Sequence, residues 1–368
     1  MTAARETWRV LDTGVRRAAE NFAINRAILE AHQAGEAPHT IRFLSFEPSA
    51  LIGFHQDVEQ ELNLDFIAEQ GIDIQRRVTG GGALYFDQQQ IGWELYLDKR
   101  VLGTADMSQI ARRICETAAR GLRSLGVNAQ YRPRNDIEVD GRKISGTGGA
   151  FDGDSILYQG TLLIEFDVER MMRVLRIPAE KISDKAIATA RDRIVTMSEL
   201  LGGALPSRGH IQEMLARAFA TEFGVNLEKA EDLNAAEQVI YSEALGEIDT
   251  PEWVYQHNRP RVDAPLLEGL YKSPGGLMRA AVLLDTTRRR IKQVWITGDF
   301  FVKPRRVVID LEGALRDTPL DDLDANVERF FAEREAEMLM LQPADFATAV
   351  RLAVAAAEPP AAPVAAQG

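Results

Sequence analysis

The run Arg76 to Asp87, Arg-Arg-Val-Thr-Gly-Gly-Gly-Ala-Leu-Tyr-Phe-Asp, constrains the fold more than any other stretch of the chain. Strand-like residues from Ile72 enter it, and the apolar run Ala83–Phe86 leaves it. Gly80, Gly81 and Gly82 lack a Cβ, so the backbone there can take positive φ and approach a ligand closely. Successive amides in such a turn can converge on an anion, and Arg76 or Arg77 can add the paired donors that phosphate and carboxylate favour. An equally physical reading is a sharp turn between two strands with arginines on the surface. The stretch is not a Walker A loop, because no Gly-Lys-Ser/Thr follows. Nor is it a dinucleotide fingerprint, because no helical pattern begins after the glycines.

A second informative segment is Asn135 to Gly146. Asp140-Gly141 between two short alternating runs predicts a hairpin with a two-residue loop. That register sets Val139 opposite Arg142, Glu138 opposite Lys143, Ile137 opposite Ile144 and Asp136 opposite Ser145. With a period of two, Ile137 and Ile144 share one face, and Asp136, Glu138, Lys143 and Ser145 share the other. A lysine among carboxylates suits charge-handling chemistry. It equally suits a solvated hairpin with a Glu138–Lys143 cross-strand pair.

The rest of the chain frames these segments. Strands are expected at 8–11, 41–46, 50–53, 91–97 and 157–166, and helices at 18–34, 62–70 and 107–125. Helical patterning returns at 169–175, 197–201, 210–223 and 233–241. A second unit begins near Leu266, with a basic-tipped hairpin around 286–290, further elements at 307–315 and 323–331, and a closing helix at 343–357. At 368 residues, two domains are expected: 1–260 and 261–357, followed by a low-complexity Ala/Pro tail at 358–368 that is expected to be disordered. The net charge of −12 argues against nonspecific nucleic-acid binding, which needs a basic face. No run of about 18 apolar residues or apolar N-terminal signal core is present, so a soluble, cytoplasmic protein without membrane association is expected. The single cysteine, Cys115, excludes an internal disulfide and any multi-cysteine metal site. The five histidines show no metal-ligand spacing.

Several stretches, in order, resemble the lipoate–protein ligase branch of the biotin/lipoate ligase family. They are Ala19-Glu20-Asn21, Gly53-Phe54-His55-Gln56, the Arg76–Ala83 signature, Arg134-Asn135-Asp136, Asp140 to Gly146, and Gly160-Thr161-Leu162-Leu163. Lys181 to Lys185 with Arg191 to Thr196 resembles the family's adenylate-covering region. The resemblance spans about residues 8–260, and 266–357 loosely resembles the family's accessory domain.

This resemblance implies an α+β fold: a central mixed β-sheet flanked by helices, with a small α/β accessory domain at the C-terminus. It implies a two-step ligase. Lipoate, or octanoate, attacks the α-phosphate of Mg-ATP to give an acyl-adenylate and pyrophosphate. A lysine of an acceptor protein then takes the acyl group. An E2 lipoyl domain, a glycine-cleavage H protein or an H-like carrier all fit as acceptor. It assigns Lys143 to the acyl carbonyl and phosphate, and Asp136 to the nucleotide and a Mg²⁺ ion. Arg76, Arg77, Thr79, Gly80, Gly81, Gly82, Ala83, Tyr85, Asn135, Asp136, Ser145, Gly146, Thr147, Gly160 and Thr161 are implied to line the lipoate and adenylate site. Two departures stand out: Gln159 replaces a common histidine, and Thr147 to Asp154 replaces the usual small and basic residues with an expected change in the adenylate loop.

Three rival readings remain. Acyl transfer through a cysteine thioester needs an activated thiolate, whereas Cys115 sits mid-helix, where an inert buried thiol is expected; a cysteine-independent transferase is the variant of that reading. Biotin ligation is disfavoured because its signature alternates Gly and Arg. A non-catalytic adenylate- or acceptor-binding module would not need Lys143 and Asp136.

Overall fold

The computed structural model describes residues 5–355, apart from 134, 178–183 and 260–261. Residues 181–183 of the expected adenylate-covering region, the motif residue Arg134 and the Ala/Pro tail therefore lie outside the described residues.

Contacts divide the chain into two compact units. The first comprises 1–51, 62–75 and 84–254; the second comprises 52–61, 76–83 and 255–368. The sequence division at residue 260 follows chain order alone. Two short segments before it, including the glycine-rich signature, make their contacts with the C-terminal part.

The strands up to residue 230, all in the first unit except the last residues of β3 and β4, are β1 (Thr7–Arg16), β2 (Thr40–Phe46), β3 (Ser49–Ile52), β4 (Asp73–Arg76), β5 (Leu84–Phe86), β6 (Gln90–Asp98), β7 (Gln130–Arg132), β8 (Asp136–Val139), β9 (Arg142–Asp152), β10 (Ser155–Leu163) and β11 (Asn226–Ala230). Eight of them form one sheet in the order β11-β1-β2-β6-β10-β9-β8-β7, and β4, β3 and β5 form a small second sheet. β1 runs parallel to both β2 and β11, while the other large-sheet pairs are antiparallel, so the sheet is mixed as expected.

β6 shows why this sheet needs helices on both faces. Ile91, Trp93, Leu95 and Leu97 alternate onto one face and join the main core with Ile110, Ile114 and Leu122 of the helix Met107–Arg123 and with Leu215 and Phe219 of the helix Arg208–Phe223. Tyr96, one residue out of phase, packs on the other face with Ile24 and Ile28 of the helix Ala18–Gln33. Period-two alternation sends Ile91, Trp93, Leu95 and Leu97 to one face and Glu94 and Tyr96 to the other, and both faces are covered because the strand is buried up to Leu97. Burying a large apolar side chain of this kind contributes about 1.5–3 kcal/mol.

That second face also carries a buried ionic network. Arg42, fully buried on β2, lies 3.0 Å from Glu94, its cross-strand partner on β6. Asn25 (2.6 Å) and Tyr96 (2.7 Å) also donate to Glu94, and Arg42 donates to Asn21 (2.6 Å). Asn21 in turn donates to the Ser45 carbonyl (2.8 Å). Asn21 thus serves the scaffold. Removing one member would strand a buried charge, the costly way to break such a pair.

The second unit holds β12 (Leu267–Ser273), β13 (Gly276–Asp285) and β14 (Arg290–Gly298) in an antiparallel sheet extended by Thr318–Pro319. The basic-tipped hairpin at 286–290 joins β13 and β14, as expected. Helices Val307–Ala314, Leu323–Ala332 and Pro343–Ala355 bury Leu311, Val327, Phe346 and Val350 in the same core as Met278, Val282 and Ile296 of the sheet.

Candidate active site

In the first unit the chemistry gathers on the β7–β8–β9 edge. Asp140 and Gly141 both take positive φ, 51° and 79°, the two-residue hairpin geometry expected from Asp-Gly. Val139 pairs with Arg142 and Glu138 with Lys143, as the pattern predicts. A register shift between Ile137 and Glu138 then places Ile137 opposite Ser145 and Asp136 opposite Gly146. A bulge of this kind inserts one extra residue on one strand and re-aims the side chains beside it. Ile137 and Ile144 are buried, as expected, but so is Ser145, which was expected on the polar face.

The bulge brings Lys143 to Asp136. Lys143 Nζ lies 2.8 Å from Asp136 Oδ1, in place of the expected Glu138–Lys143 pair. Gly146 makes room for this. A Cβ built there would stand 2.6 Å from Lys143 Nζ and 2.7 Å from Cε, so the lysine stem lies across the bare glycine. Lys143 and Asp136 side chains are 38% and 17% exposed, accessible to a ligand yet partly shielded from water. Asp136 Oδ2 accepts from Arg132 Nη2 at 2.5 Å, and Arg132 also faces Glu138 at 3.4 Å. Asp136, expected as a Mg²⁺ ligand, thus has both carboxylate oxygens held by cationic side chains.

Two further contacts fix this edge. Asn135 and Thr147 clamp one another: Thr147 N and Oγ1 each donate to the Asn135 carbonyl at 2.8 Å, and Asn135 Nδ2 donates to the Thr147 carbonyl at 2.6 Å. Lys143 also exchanges main-chain hydrogen bonds with the segment after Arg191: its N–H donates to the Arg193 carbonyl and its carbonyl accepts from Val195, both at 2.9 Å. Part of the stretch that resembles an adenylate-covering region is therefore tied directly to the lysine.

Thr161 Oγ1 lies 3.4 Å from the Gly146 amide. Gly160 answers to packing, since a Cβ there would stand 2.3 Å from the Trp93 ring. The stretch Thr147–Asp154, expected to reshape a loop, is strand up to Asp152 and pairs along β10. Tyr85 is buried on β5 under the Arg170 guanidinium, 5.7 Å from its ring centre, and burial and the charge of Asp87 push its hydroxyl above the ordinary range.

Cys115 is fully buried in the helix Met107–Arg123, as expected. Its Sγ sits 3.3 Å from Thr147 Oγ1 and 3.5 Å from the Tyr158 hydroxyl, and burial raises its pKa. A thiol of this kind is neither ionised nor reachable.

In the second unit the arginines of the glycine signature turn inward. Arg76 is fully buried, and its Nη1 donates to the carbonyls of Gly53 (3.0 Å), Phe54 (2.7 Å) and Gln56 (2.6 Å). Arg77 Nη2 donates to the carbonyls of Gly80 (3.3 Å) and Gly82 (2.8 Å). Burial pulls Arg76 down to about 9 and Arg77 to about 10, which leaves both charged at neutral pH. Gly81 takes φ 99°, and its carbonyl would lie 1.9 Å from a Cβ on Gly53, so two backbones meet where no side chain fits. Thr79 is buried and its carbonyl accepts from Phe54 N at 3.0 Å, while Ala83 is partly exposed. The turn is shaped by internal contacts: main-chain carbonyls of the same unit take ends of both guanidiniums, which are buried rather than on the surface as the sharp-turn reading had them.

Sequence reasoning missed Arg132 and the main-chain pairing of Lys143 with 193–195. The alternating Gln130-Tyr131-Arg132 run before Pro133 was the available signal for β7. Among the described residues no group of three or more His, Cys, Asp or Glu side chains could hold a metal, and no helix is long and apolar enough to cross a membrane.

The model of the lipoyl protein ligase A/B catalytic domain matches residues 17–220. Octanoyltransferase LipM of Kyrpidia tusciae is 29% identical over 275 residues, covering 68% of this chain and 99% of that protein. Lipoate-protein ligase LplJ of Bacillus subtilis is 27% identical over 281 residues, covering 76% and 82%. The bipartite lipoate protein ligase of Thermoplasma acidophilum, described with its E2 lipoyl domain, superposes with a TM-score of 0.59 at 25% identity over 70% of this chain and 99% of that one. P. falciparum LipL1, solved in complex with lipoate, gives a TM-score of 0.69 at 18% identity over 90% and 95%. With more than half of its length under one family model, this chain belongs to the lipoyl protein ligase A/B catalytic domain family and is an enzyme of the lipoate ligase and octanoyltransferase group.

Proposed function

We propose that the chain is an ATP-dependent, AMP-forming lipoate or octanoate ligase that acylates one lysine of a lipoyl-domain or H-protein-like acceptor. The observation that carries this reading is the environment of Cys115. It is the only cysteine in the sequence, and it is fully buried with a raised pKa. A thioester route lacks its nucleophile, whereas an adenylate route needs none from the protein.

In the first half-reaction a carboxylate oxygen of lipoate attacks the α-phosphorus, and the bond to the bridging oxygen of pyrophosphate breaks. Lys143 neutralises negative charge on the acyl and phosphate oxygens as it concentrates between them. In the second, the neutral amine of the acceptor lysine attacks the acyl carbon, loses a proton, and AMP leaves. Asn135 and Thr147 hold the base of the Asp136 strand in place for both steps. Amides of the Gly80–Gly82 turn are assigned a share of acyl and phosphate binding on the strength of the resemblance. The donor set around Asp136 does not fit a resident Mg²⁺, since Arg132 and Lys143 already hold both oxygens. Mg²⁺ is assigned to the ATP phosphates, and no step is routed through a protein-bound metal.

Lipoate-dependent exchange of labelled pyrophosphate into ATP, measured without acceptor, tests the reading. Exchange supports adenylation by this chain. The similarity to octanoyltransferases favours a second reading, acyl transfer from a thioester donor without ATP and without Cys115. Transfer from such a donor by a folded Cys115→Ser variant, with no exchange activity, would establish that reading and overturn the first.

A further inference from the structure

The four charged groups on the β7–β8–β9 edge are unequally shared. Among the described residues Lys143 has one ionic partner, Asp136, whereas Asp136 has two, Lys143 on Oδ1 and Arg132 on Oδ2. Glu138 faces Arg132 at 3.4 Å and accepts from Gln130 Nε2 at 3.1 Å. Arg132 and Asp136 are direct cross-strand partners on β7 and β8, so their pairing is set by the sheet register rather than by long side chains meeting in solvent. Lys143 reaches Asp136 only by lying across Gly146, on a flexible stem.

We propose that Arg132 is a positioning residue, a standing counter-charge that keeps Asp136 paired and so lets Lys143 leave it for a bound anion. This rests on the ligase reading for the identity of that anion, the acyl-phosphate. A lysine held by a lone carboxylate must strand that carboxylate to reach a substrate. With Arg132 in register on Oδ2, the carboxylate stays neutralised when the lysine moves, and Lys143 rests in a shallow parking position. Asp136 orients Lys143 here, and Arg132 occupies the oxygen a divalent cation would otherwise take. The hydrogen bond that Arg132 donates to Asp136 raises the Arg132 pKa, so the guanidinium keeps its charge throughout the working range.

Amine labelling of the full chain, read at Lys143 by peptide mass spectrometry, tests this independently of catalysis. In Arg132→Gln the whole charge of Asp136 falls on Lys143, so labelling of Lys143 should slow several-fold relative to other lysines, and Arg132→Lys should restore it. If Arg132 merely braced the edge strand, its loss would loosen the pair and speed labelling. Faster or unchanged labelling in a variant that melts like the wild type overturns the proposal. Pyrophosphate exchange should fall about tenfold in kcat, with KM for ATP changing less than twofold, and should recover in Arg132→Lys. The labelling pattern across the variants, with no exchange by the wild-type chain, would retain the positioning role and sink the ligase reading instead.

Discussion

Gly146→Ala separates the place of Lys143 from the stability of the fold. A Cβ at 146 would stand 2.6 Å from Lys143 Nζ and 2.7 Å from Cε, and its next neighbour, Asp136 Oδ1, is at 3.8 Å. Gly146 is not among the positive-φ residues, so alanine adds no backbone strain. To reach ordinary contact the ammonium must move roughly 1 Å, cheap for the end of a flexible side chain. Losing a partly exposed ion pair costs about 0–1 kcal/mol, and alanine returns roughly 0.5 kcal/mol over glycine in a strand. Melting should therefore stay within a few degrees of wild type. Catalysis should suffer far more, because a misplacement of about 1 Å can cost on the order of 10²-fold. Gly160→Ala is the contrast: its Cβ would meet the buried Trp93 ring at 2.3 Å, so it should lose about 1–3 kcal/mol or more of stability through overpacking. Paired exchange and thermal-melting measurements decide the matter. Gly146→Ala with full exchange activity would refute the claim that the reaction depends on where Lys143 sits, and a large loss of melting temperature would show that Gly146 is structural.

Lys143→Ala should abolish pyrophosphate exchange while shifting the melting temperature by only a few degrees, since its pair is partly exposed; turnover near wild type would sink the role assigned to it. Cys115→Ser should retain exchange, and the native chain should resist thiol reagents until unfolded; rapid labelling of the folded protein would contradict the burial of the thiol. Glu312, in the helix Val307–Ala314, is pushed up to about 7 by burial against a single Ile296 amide donor. Its folded form keeps a proton that the unfolded chain releases near 4.5, so stability falls as pH rises between those values, by about 3 kcal/mol, and levels off above 7. Glu312→Gln should flatten that slope; an unchanged melting profile from pH 4.5 to 8 would rule the carboxyl out.

Much of the scaffold was legible because one rule controlled each element. Alternating Ile91, Trp93, Leu95 and Leu97 gave β6, and Asp140-Gly141 gave the hairpin and its first two cross-strand pairs. The helix stop at Gly71 followed from a residue that readily takes the left-handed C-cap, where φ is 60°. What failed was anything decided by a second strand. β11 reads as Asn-Leu-Glu-Lys-Ala, mostly exposed and barely alternating, and exists because β1 offers it a parallel edge. The bulge beside Ile137 is invisible in a pattern of two. Yet it moves Asp136 from Ser145 to Gly146 and so converts an expected Glu138–Lys143 pair into Asp136–Lys143. Arg76 and Arg77 were read as donors for an anion because two adjacent guanidiniums before a glycine turn have free ends on paper. In the fold, carbonyls of the same unit take those ends, and the sequence holds no sign of it because the acceptors are main chain. Motif residues such as Asn21, Arg76 and Gly160 are accordingly bound into the frame, whereas Lys143 and Asp136 on the β7–β8–β9 edge keep part of their side chains exposed. If the Arg132→Gln labelling result holds, the strand register that pairs Arg132 with Asp136 is what lets Lys143 leave its carboxylate and return to it.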